Sequence, residues 1–339
     1  MENIRKILII RFSSIGDIVL ATSPIITIRN KFPGARIDFL TLNSFKPLLK
    51  NHTGIDNIIG FEKKSKLKSL IKLRQSLITE SYDMIFDLHQ SLRTKLLLFG
   101  FYKNIYRISK PRMLRFLLFK FNLNYFSSEF STINMYHNAF KGLLEKDYSY
   151  PKTSLFVEEN ILKSIYSIFK SISKMKEYIC LVPGAAWEQK QWSPQKYSLL
   201  IDSIYENTTF EVIMIGGISD AICNEIRTLN DKIIALNGET DIEQSLAILK
   251  LSSHVVGSDT GMLHAAEALG VSVTMIMGPT SIETGGGVNL ESSNNVFKDI
   301  WCRPCSQNGS KTCYRNKQYC METISTKDVI TPLMESIIR

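Results

Sequence analysis

Short apolar runs alternate with helix-like patterns along most of this chain, and this alternation constrains the fold more than any other feature. Buried strands are predicted at residues 4–11, 35–40, 84–87, 178–182, 210–215 and 254–256. Helices are predicted at residues 18–31, 194–205 and 221–229. Strands that alternate with helices form parallel sheets covered on both faces. Because each half of the chain carries its own set, we predict an α/β protein with two doubly wound domains.

The length of the chain supports this division. Its 339 residues are enough for two domains, each with its own core. We predict an N-terminal domain at residues 1–160 and a C-terminal domain at residues 175–325, because a polar helical segment separates them and precedes a new buried strand. Residues 326–339 are predicted to form a terminal helix that packs back on the N-terminal domain, and Ser325 and Asp328 have the spacing of a capping box.

The N-terminus does not have the pattern of an export signal. Arg5 and Lys6 precede an apolar run, but Arg11 ends this run after four residues, which is too short for the core of a signal peptide. No stretch approaches the roughly 18 apolar residues that a membrane span needs. We therefore expect a cytoplasmic protein.

The net charge is distributed unevenly. The whole chain carries +9, but residues 1–175 carry +15 and residues 176–339 carry −6. A basic half indicates an anionic partner, which could be a nucleic acid, a phosphorylated glycolipid or an anionic membrane surface. A general lysine-rich composition is the alternative explanation.

Part of this positive charge is interleaved with aromatic and aliphatic residues. Residues 93–120 contain Arg93, Lys95, Lys103, Arg107, Lys110, Arg112, Arg115 and Lys120. Such a pattern suits a membrane surface or an anionic, partly apolar substrate. A pair of amphipathic helices with a solvated basic side would have the same pattern. Residues 63–74 can be interpreted in the same way, as a basic helix face.

The six cysteines fall into two groups. Cys180 and Cys223 lie in apolar or helical contexts and are expected in the core. The others lie within nineteen residues of one another: Cys302, Cys305, Cys313 and Cys320. Four thiols this close could bind zinc, but the spacing is not the paired C-x-x-C pattern of a zinc ribbon. Disulfides are disfavoured in a reducing compartment, so a thiol-lined structural loop is the main interpretation and a metal site the alternative.

The loops that follow the predicted strands contain most of the residues with chemical potential. In open parallel sheets, ligands bind at the carboxyl ends of the strands. After the first strand comes Ser13-Ser14-Ile15-Gly16-Asp17, where the Asp17 carboxylate could act as a general base. An ordinary N-cap is the alternative. After the strand at residues 178–182 come the small residues Gly184, Ala185 and Ala186, which allow close backbone approach to a ligand. They are followed by Lys190, which suits a phosphate.

Two further loops add to this set. Gly216 and Gly217 permit a close approach, and Asp220 could accept a hydrogen bond from a ribose hydroxyl. The run from Gly257 to His264 places Asp259, Thr260 and Gly261 at the start of a helix, where unpaired N–H groups and the helix dipole attract an anion. With Gly278, Pro279, Thr280 and the glycines at residues 285–287, this run is predicted to form a diphosphate cradle with a mobile lid.

Taken together, these motifs resemble those of the lipopolysaccharide heptosyltransferase family, glycosyltransferase family 9. The resemblance runs through nearly the whole chain, and its most specific parts are Asp-Thr-Gly-x-x-His and Gly-Pro-Thr. The matching segments are residues 11–17, 87–93, 183–192, 258–264 and 278–280. It implies a GT-B fold, in which two Rossmann-like domains face a central cleft, with the acceptor in the N-terminal domain and the nucleotide-sugar in the C-terminal domain.

The resemblance also implies roles for individual residues. Asp17 corresponds to the catalytic carboxylate and Lys190 to the lysine that stabilises the leaving group. The implied donor residues are Gly184, Ala185, Ala186, Gly216, Asp220, Asp259, Thr260, Gly261, His264, Gly278, Pro279 and Thr280. The implied acceptor residues are Ser13, Ser14, Gly16, Gln90 and Arg93. Many members have Ser or Thr where this chain has Ala185 and Ala186, so we expect these hydroxyl contacts to the phosphates to be missing. Backbone amides could substitute for them, and the identity of the donor stays open at this point.

From this resemblance we expect an inverting transfer of a heptose or related sugar from an ADP-sugar to a phosphorylated inner-core acceptor. No metal or other cofactor is expected, and the protein is expected to act at the cytoplasmic face of the inner membrane. Transfer from another nucleotide-sugar to another acceptor, or a nucleotide-sugar epimerase of the same fold, are the alternatives within enzymes. A non-catalytic binder of anionic glycans or nucleic acid is a more distant one, and we expect no nucleic-acid partner.

Overall fold

The computed structural model describes residues 4–63, 67–101, 104–169, 172 and 177–338. Several sequence predictions therefore include residues outside the described ones. These residues are Lys103 of the basic segment, 64–66 of the predicted basic helix face, 170–171 and 173–176 around the predicted domain boundary, and the chain ends 1–3 and 339.

The first sheet is parallel, as the alternation of strands and helices predicts. Its strands are β1 (Lys6–Ile10), β2 (Arg36–Leu42), β3 (Asn57–Phe61), β4 (Met84–Asp87) and β5 (Asn104–Arg107). They follow the order β3-β2-β1-β4-β5. In the central strand β1, Ile7 pairs with Ile37 of β2 and with Met84 of β4. The side chains from Ile7 to Ile10 are fully buried, because helices cover both faces of the sheet.

The second sheet is parallel as well. Its strands are β6 (Tyr178–Val182), β7 (Glu211–Met214), β8 (Ile234–Ala235), β9 (His254–Ser258), β10 (Val273–Ile276) and β11 (Asn294–Val296). Their order is β11-β10-β9-β6-β7-β8. Strand β9 is longer than predicted. Gly257 and Ser258 still belong to it, because Gly257 pairs with Val182 and Ser258 with Ile276.

Helices connect and cover the strands. Those of the first half are α1 (Ile15–Leu20), α2 (Thr22–Lys31), α3 (Leu67–Glu80), α4 (Leu92–Leu97), α5 (Arg112–Phe121), α6 (Thr132–Asn138) and α7 (Glu159–Ile168). Those of the second half are α8 (Pro194–Asn207), α9 (Ala221–Leu229), α10 (Ile242–Leu251), α11 (Gly261–Ala268), α12 (Tyr319–Glu322) and α13 (Thr326–Ile338). Short 3₁₀ turns lie at Asn43–Leu49, Lys141–Leu143 and Glu188–Lys190.

The single helix predicted at residues 18–31 is two helices in the structure, and the first of them begins three residues earlier than predicted. Helix α1 begins at Ile15, and α2 begins at Thr22 after a break at Ala21. Pro24 has no N–H group and is tolerated in the first turn of a helix but not in its interior. Because α1 starts early, Asp17 lies inside its first turn rather than in the loop before it.

The chain divides into two compact units. Unit 1 comprises Met1–Lys110 and Ser131–Phe156, and unit 2 comprises Pro111–Phe130 and Val157–Arg339. Residues 111–130, which we predicted within the N-terminal domain, therefore belong to unit 2. There the Asn122 side chain donates a hydrogen bond to the carbonyl of Trp301 (3.1 Å).

The predicted terminal helix exists as α13 and belongs to unit 2. It begins with the predicted capping box, in which the Asp328 carboxylate accepts from the N–H and the hydroxyl of Ser325 (2.7 Å each). Its buried residues Val329 and Leu333 join the apolar core that also contains α8 residues such as Leu200. The predicted division after residue 325 is therefore not a boundary between units. The packing of α13 on the N-terminal domain stays a prediction.

None of the helices in the part of the chain that the structure describes combines the length and apolar character required to cross a membrane.

The close pairing of β6 and β9 predicts a strong effect of one substitution. A Cβ atom added at Gly257 would lie 2.1 Å from the carbonyl oxygen of Val182, which is backbone and cannot rotate away. We expect Gly257→Ala to lower the free energy of unfolding by about 2–3 kcal/mol or more. Gly34→Ala is the control, because nothing lies within 4 Å of the added atom, and it should stay within about 0.5 kcal/mol of the parent. Equal thermal stability of the two variants would contradict this prediction.

Buried histidines predict how stability depends on pH. Burial lowers the pKa of His52 to about 4 and of His254 to about 3, and it also lowers the pKa of His137. In the unfolded chain these groups bind protons below about pH 6.5. The unfolded state therefore binds more protons between about pH 6.5 and 4, so stability falls as the pH decreases through this window.

We expect each such histidine to contribute about 1 kcal/mol of destabilisation for the first pH unit below 6.5. Thermal melts between pH 7.5 and 5 test this. His254→Asn should depend less on pH than the parent, because the amide that replaces the imidazole does not titrate. A melting temperature that rises on acidification would show that other groups dominate.

Candidate active site

In unit 1, the carboxylate of Asp17 is held by three side chains at the end of β1. Its Oδ1 lies 2.6 Å from Nη2 of Arg11 and accepts a hydrogen bond from the Tyr136 hydroxyl (3.2 Å). Its Oδ2 accepts from the backbone N–H (3.2 Å) and the hydroxyl (2.9 Å) of Ser14. The side chain remains 36% exposed. Asp17 is therefore oriented by its neighbours and still accessible from solvent.

These contacts also fix the charge of the site. Burial opposes ionisation of Asp17, but the adjacent Arg11 guanidinium and the hydrogen bonds from Ser14 outweigh it and hold the pKa of the carboxyl below its usual range. Arg11 is buried and donates from Nη1 to the carbonyl of Leu88 (2.5 Å). At neutral pH Asp17 is therefore an anion with a fixed counter-charge.

The predicted acceptor residues lie around the same strand ends. Ser14 is the N-cap of α1, and Gly16 is buried in its first turn. Gln90 follows β4 in a left-handed backbone conformation, with its N–H bonded to the buried Asp87 carboxylate (2.8 Å). The Arg93 guanidinium stacks over the Phe12 ring. Ser13 is half-buried in the loop between β1 and α1.

A neutral histidine completes this region. Burial and the nearby charges of Arg11 and Lys110 lower the pKa of His89 to about 4. Its ring packs edge-on against Phe12, with centroids 5.4 Å apart. Positive charge near Asp17 at neutral pH therefore comes from Arg11 and not from His89.

In unit 2, three loops converge on one carboxylate. The Nζ atom of Lys190, which follows β6, lies 3.0 Å from Oδ2 of Asp259, which follows β9. The hydroxyl of Thr280, which follows β10, donates to the same oxygen (2.7 Å). The Lys190 and Asp259 side chains are only 12% and 11% exposed. Three residues that the sequence placed on separate strand ends thus form one cluster, because the central strands β6, β9 and β10 are neighbours in the sheet.

The cluster lies at the start of helix α11. Thr260 is the N-cap of this helix, Gly261 is its first residue, and His264 is buried in its first turn. Ser258 ties two of the loops together, because its hydroxyl donates to the carbonyl of Pro183 (2.9 Å). A lysine that is mostly shielded from solvent beside a helix N-terminus, close to small residues, is an arrangement that suits the phosphates of a ligand.

The predicted donor residues near β7 have a structural role in addition to any contact with a ligand. Asp220 Oδ2 accepts a hydrogen bond from the N–H of Gly217 (2.7 Å). A Cβ atom added at Gly184 would lie 2.5 Å from the same oxygen, and one at Gly216 would lie 2.7 Å from the sulfur of Cys223. These glycines let the loops after β6 and β7 approach Asp220 closely. Ala185 is half-buried and Ala186 exposed at the same edge.

The Gly278-Pro279-Thr280 loop is held by the cysteine-bearing segment, which the sequence analysis did not anticipate. Arg303 donates from Nε to the carbonyl of Gly278 (2.9 Å), and the backbone N–H groups of Cys305 and Ser306 donate to the carbonyl of Pro279 (3.1 and 3.2 Å). A Cβ atom added at Gly309 would lie 2.4 Å from Cγ of Lys190. The segment therefore supports both the loop and the lysine.

The glycine-rich stretch predicted as a lid is anchored at its far end. The Glu267 carboxylate of α11 accepts from the N–H groups of Asn289 (2.9 Å) and Leu290 (2.7 Å). Gly285 and Gly287 both have positive φ values, which glycine adopts readily. Mobility of this stretch stays a prediction.

Among the described residues the cysteine cluster shows no group of metal ligands, and the alternative metal site stays a hypothesis. All six cysteines are free, and the described residues contain no group of three or more His, Cys, Asp or Glu side chains that could hold a metal ion. Burial raises the pKa of Cys305, and it raises that of Cys320 to about 11. What the structure shows of this segment is its contact with the Gly278-Pro279-Thr280 loop through Arg303, Cys305 and Ser306.

Sequence reasoning missed several residues of both clusters. Tyr136 is separated from Asp17 by 119 positions, and no local pattern marks it. Arg11 was noted as the end of an apolar run and as the start of the matching segment 11–17, but it was assigned no role of its own. Arg303, between two cysteines, was assigned no role.

The chain is similar to known proteins in sequence and in fold. The family profile described as glycosyltransferase family 9 (heptosyltransferase) matches residues 70–315. Lipopolysaccharide heptosyltransferase 1 of Campylobacter coli is 24% identical, over 97% of this chain and 98% of that protein. The fold resembles ADP-heptose LPS heptosyltransferase II of E. coli, with a TM-score of 0.73, 21% identity and 98% of each chain covered. It also resembles E. coli heptosyltransferase WaaC with ADP-2-deoxy-2-fluoro heptose, with a TM-score of 0.65, 17% identity, and 97% and 99% of the chains covered.

The two parallel α/β sheets are those of the GT-B fold. Because the family profile covers well over half of the sequence, the chain belongs to glycosyltransferase family 9 and is a glycosyltransferase.

Proposed function

We propose that this protein transfers a heptose from ADP-heptose to a phosphorylated inner-core acceptor of lipopolysaccharide. The observation that carries the proposal is the Lys190–Asp259–Thr280 cluster at the start of α11. Support for the sugar and the nucleotide comes from the relatives, which are described as lipopolysaccharide heptosyltransferases, and from the ADP-heptose analogue bound to the E. coli neighbour. We take the predicted donor residues as the donor site and the predicted acceptor residues as the acceptor site.

In this proposal, Lys190 stabilises the leaving group. When the bond between the anomeric carbon and the diphosphate breaks, its electron pair stays on the phosphate oxygen and leaves ADP with additional negative charge. The Lys190 ammonium and the N–H groups at Thr260 and Gly261 stabilise that charge as it develops. The step requires no metal ion, because the chain itself supplies the positive charge.

Asp17 acts as the general base. It accepts the proton of the acceptor hydroxyl while the oxygen forms its bond to the anomeric carbon, on the face opposite the departing diphosphate. The configuration at that carbon is therefore inverted. The low pKa of Asp17 keeps it ionised at neutral pH, and the proton becomes easier to remove as the hydroxyl oxygen forms its new bond.

The site of action follows from the acceptor. A lipid-linked acceptor is held in a bilayer, so we propose that the protein works as a peripheral protein at the cytoplasmic face of the inner membrane. The basic charge of the first half of the chain, +15 over residues 1–175, is compatible with a phosphorylated acceptor at this surface. Nucleic acid is not proposed as a partner.

Transfer from a different nucleotide-sugar is the second candidate, because Ala185 and Ala186 offer no side-chain hydroxyl to the phosphates of the donor. A thermal-shift panel of ADP-, UDP-, GDP- and CMP-sugars and their free nucleotides distinguishes the two. Stabilisation by ADP and ADP-heptose, followed by transfer to a heptose-deficient lipopolysaccharide core, is the expected result. Stabilisation by another nucleotide alone would exclude ADP-heptose, and conversion of the donor without an acceptor would favour an epimerase.

A further inference from the structure

Helix α5 presents apolar side chains to solvent on the side opposite its buried residue. Leu118 is buried, whereas Met113 is 69% and Phe116 56% exposed. With 3.6 residues per turn, these two residues lie on one face of the helix, together with the exposed Lys120. A helix that only covered the core of its unit would show polar residues on this face. The face is therefore available to contact a partner.

The apolar surface continues beyond the helix. The Phe121 ring lies against that of Phe116 (centroids 5.7 Å apart), and Tyr125 is exposed in the loop that follows. Between them, the Asn122 side chain donates to the carbonyl of Trp301 (3.1 Å). Trp301 is 68% exposed, and its ring is 6.4 Å from that of the exposed Tyr314. The α5 segment and the cysteine-bearing segment, both in unit 2, thus form one exposed aromatic surface.

The charge of this surface is positive. Apart from the buried Arg303, residues 301–319 contain three cations, Lys311, Arg315 and Lys317, and no acidic residue. Residues 111–130 contain Arg112, Arg115 and Lys120 against one acidic residue, Glu129. Two of the cations lie over the exposed rings, with Arg315 5.4 Å from the centre of Trp301 and Lys311 5.8 Å from that of Tyr314.

This composition favours one kind of partner. Tryptophan and tyrosine are enriched where a protein meets the boundary between lipid headgroups and acyl chains. Basic residues near that boundary are attracted by anionic headgroups, and short amphipathic helices bind parallel to it. A second protein chain would more often meet an apolar patch with few charges at its centre.

We propose that this surface, which we name the α5–Trp301 surface, docks the enzyme on an anionic phospholipid bilayer. Met113, Phe116, Phe121, Tyr125, Trp301 and Tyr314 enter the headgroup region, and the surrounding lysines and arginines contact lipid phosphates. The inference rests on the proposed function, since it gives the enzyme access to a lipid-linked acceptor. It assigns the membrane contact to unit 2, which carries the candidate donor site.

Flotation of the full-length protein with vesicles tests this inference. Vesicles of phosphatidylethanolamine with phosphatidylglycerol should bind the parent protein, and vesicles of phosphatidylcholine alone should bind it weakly. The double variant Met113→Ser/Phe116→Ser removes apolar contacts from exposed positions, so the fold should persist. We expect it to bind anionic vesicles about tenfold or more weakly. Lys120→Glu/Lys311→Glu should weaken binding by a similar factor and reduce its sensitivity to salt.

Leu199→Ser is the matched control, because Leu199 is also an exposed apolar residue on a helix of unit 2. It should bind like the parent protein. Parent-like binding of both double variants would overturn the inference. Sedimentation velocity without vesicles tests whether the surface instead binds a second copy of the chain. If the parent protein is a dimer and both double variants are monomers, the surface is a dimer interface and bilayer docking is overturned.

Transfer to a detergent-solubilised acceptor separates the two proposals. If the double variants transfer heptose in detergent at the parent rate but bind vesicles weakly, both proposals are supported. If the parent protein transfers no heptose in detergent, the proposed function fails, whatever the vesicles show. If transfer is intact and vesicle binding is unchanged in the variants, only the docking surface fails.

Discussion

Replacing Asp17 with asparagine is expected to lower the rate of sugar transfer by about a hundredfold to ten-thousandfold. The amide keeps the shape of the side chain and can still accept from Tyr136, but it cannot take the proton of the acceptor hydroxyl. ADP binding should be unchanged, since Asp17 lies in unit 1 and the candidate donor cluster in unit 2. Initial rates at saturating donor, together with thermal shifts by ADP, measure the two effects separately.

The pH dependence of the rate tests the same assignment. A general base must be ionised, so transfer should fall as the pH decreases through the pKa of Asp17. Because the charge of Arg11 and the Ser14 hydrogen bonds hold this pKa low, the acid limb should lie below the usual range of carboxyl groups. Arg11→Met removes the positive charge and should move the limb to higher pH, whereas Arg11→Lys should move it less.

Tyr136→Phe is the control that changes the orientation of the Asp17 carboxylate without changing any charge near it. It removes one hydrogen bond to Oδ1 but keeps the ion pair with Arg11, so we expect about a tenfold loss of rate or less. Near-normal transfer by Asp17→Asn would show that another group accepts the proton. A loss in Tyr136→Phe as large as in Asp17→Asn would indicate a positioning effect instead.

Much of the fold could be predicted because buried parallel strands have a strong sequence signal. Strands β4 and β6 and helix α9 have the bounds that their apolar patterns predict. The wrong helix and strand bounds arose where the local sequence pattern did not show where an element ends. The apolar run from residue 18 hid the separation of α1 from α2, and the small residues Gly257 and Ser258 looked like a turn although β6 and β10 pair with them.

The candidate site could be predicted only in its local parts. Lys190, Asp259 and Thr280 each follow a strand, and the rule that strand ends meet at one edge was enough to group them. Tyr136 and Arg303 reach their clusters from distant segments, through contacts that no local spacing encodes. The membership of residues 111–130 in unit 2 could not be predicted either, because it also depends on contacts between distant segments.

Replacing Lys190 with methionine is expected to lower kcat by about a hundredfold to a thousandfold, because the charge that develops on the departing diphosphate loses its nearest cation. The same change should destabilise unit 2. Without the ammonium, the nearly buried Asp259 carboxylate keeps the hydrogen bond from Thr280 but loses its counter-charge. We expect a loss of about 3 kcal/mol in the free energy of unfolding. Lys163→Met is the control, since this lysine belongs to an exposed pair with Glu159 and should change stability by less than about 0.5 kcal/mol.

The double variant Lys190→Met/Asp259→Asn separates stability from catalysis. The amide that replaces the Asp259 carboxylate is neutral, so the unpaired buried charge disappears and most of the stability should return. The rate should not return, because no cation is restored near the diphosphate. Recovery of both stability and rate in the double variant would mean that Lys190 only neutralises Asp259 and that the leaving group is stabilised elsewhere. Recovery of stability alone is expected if the pair holds the lysine in place until a nucleotide-sugar binds, when the diphosphate becomes its partner.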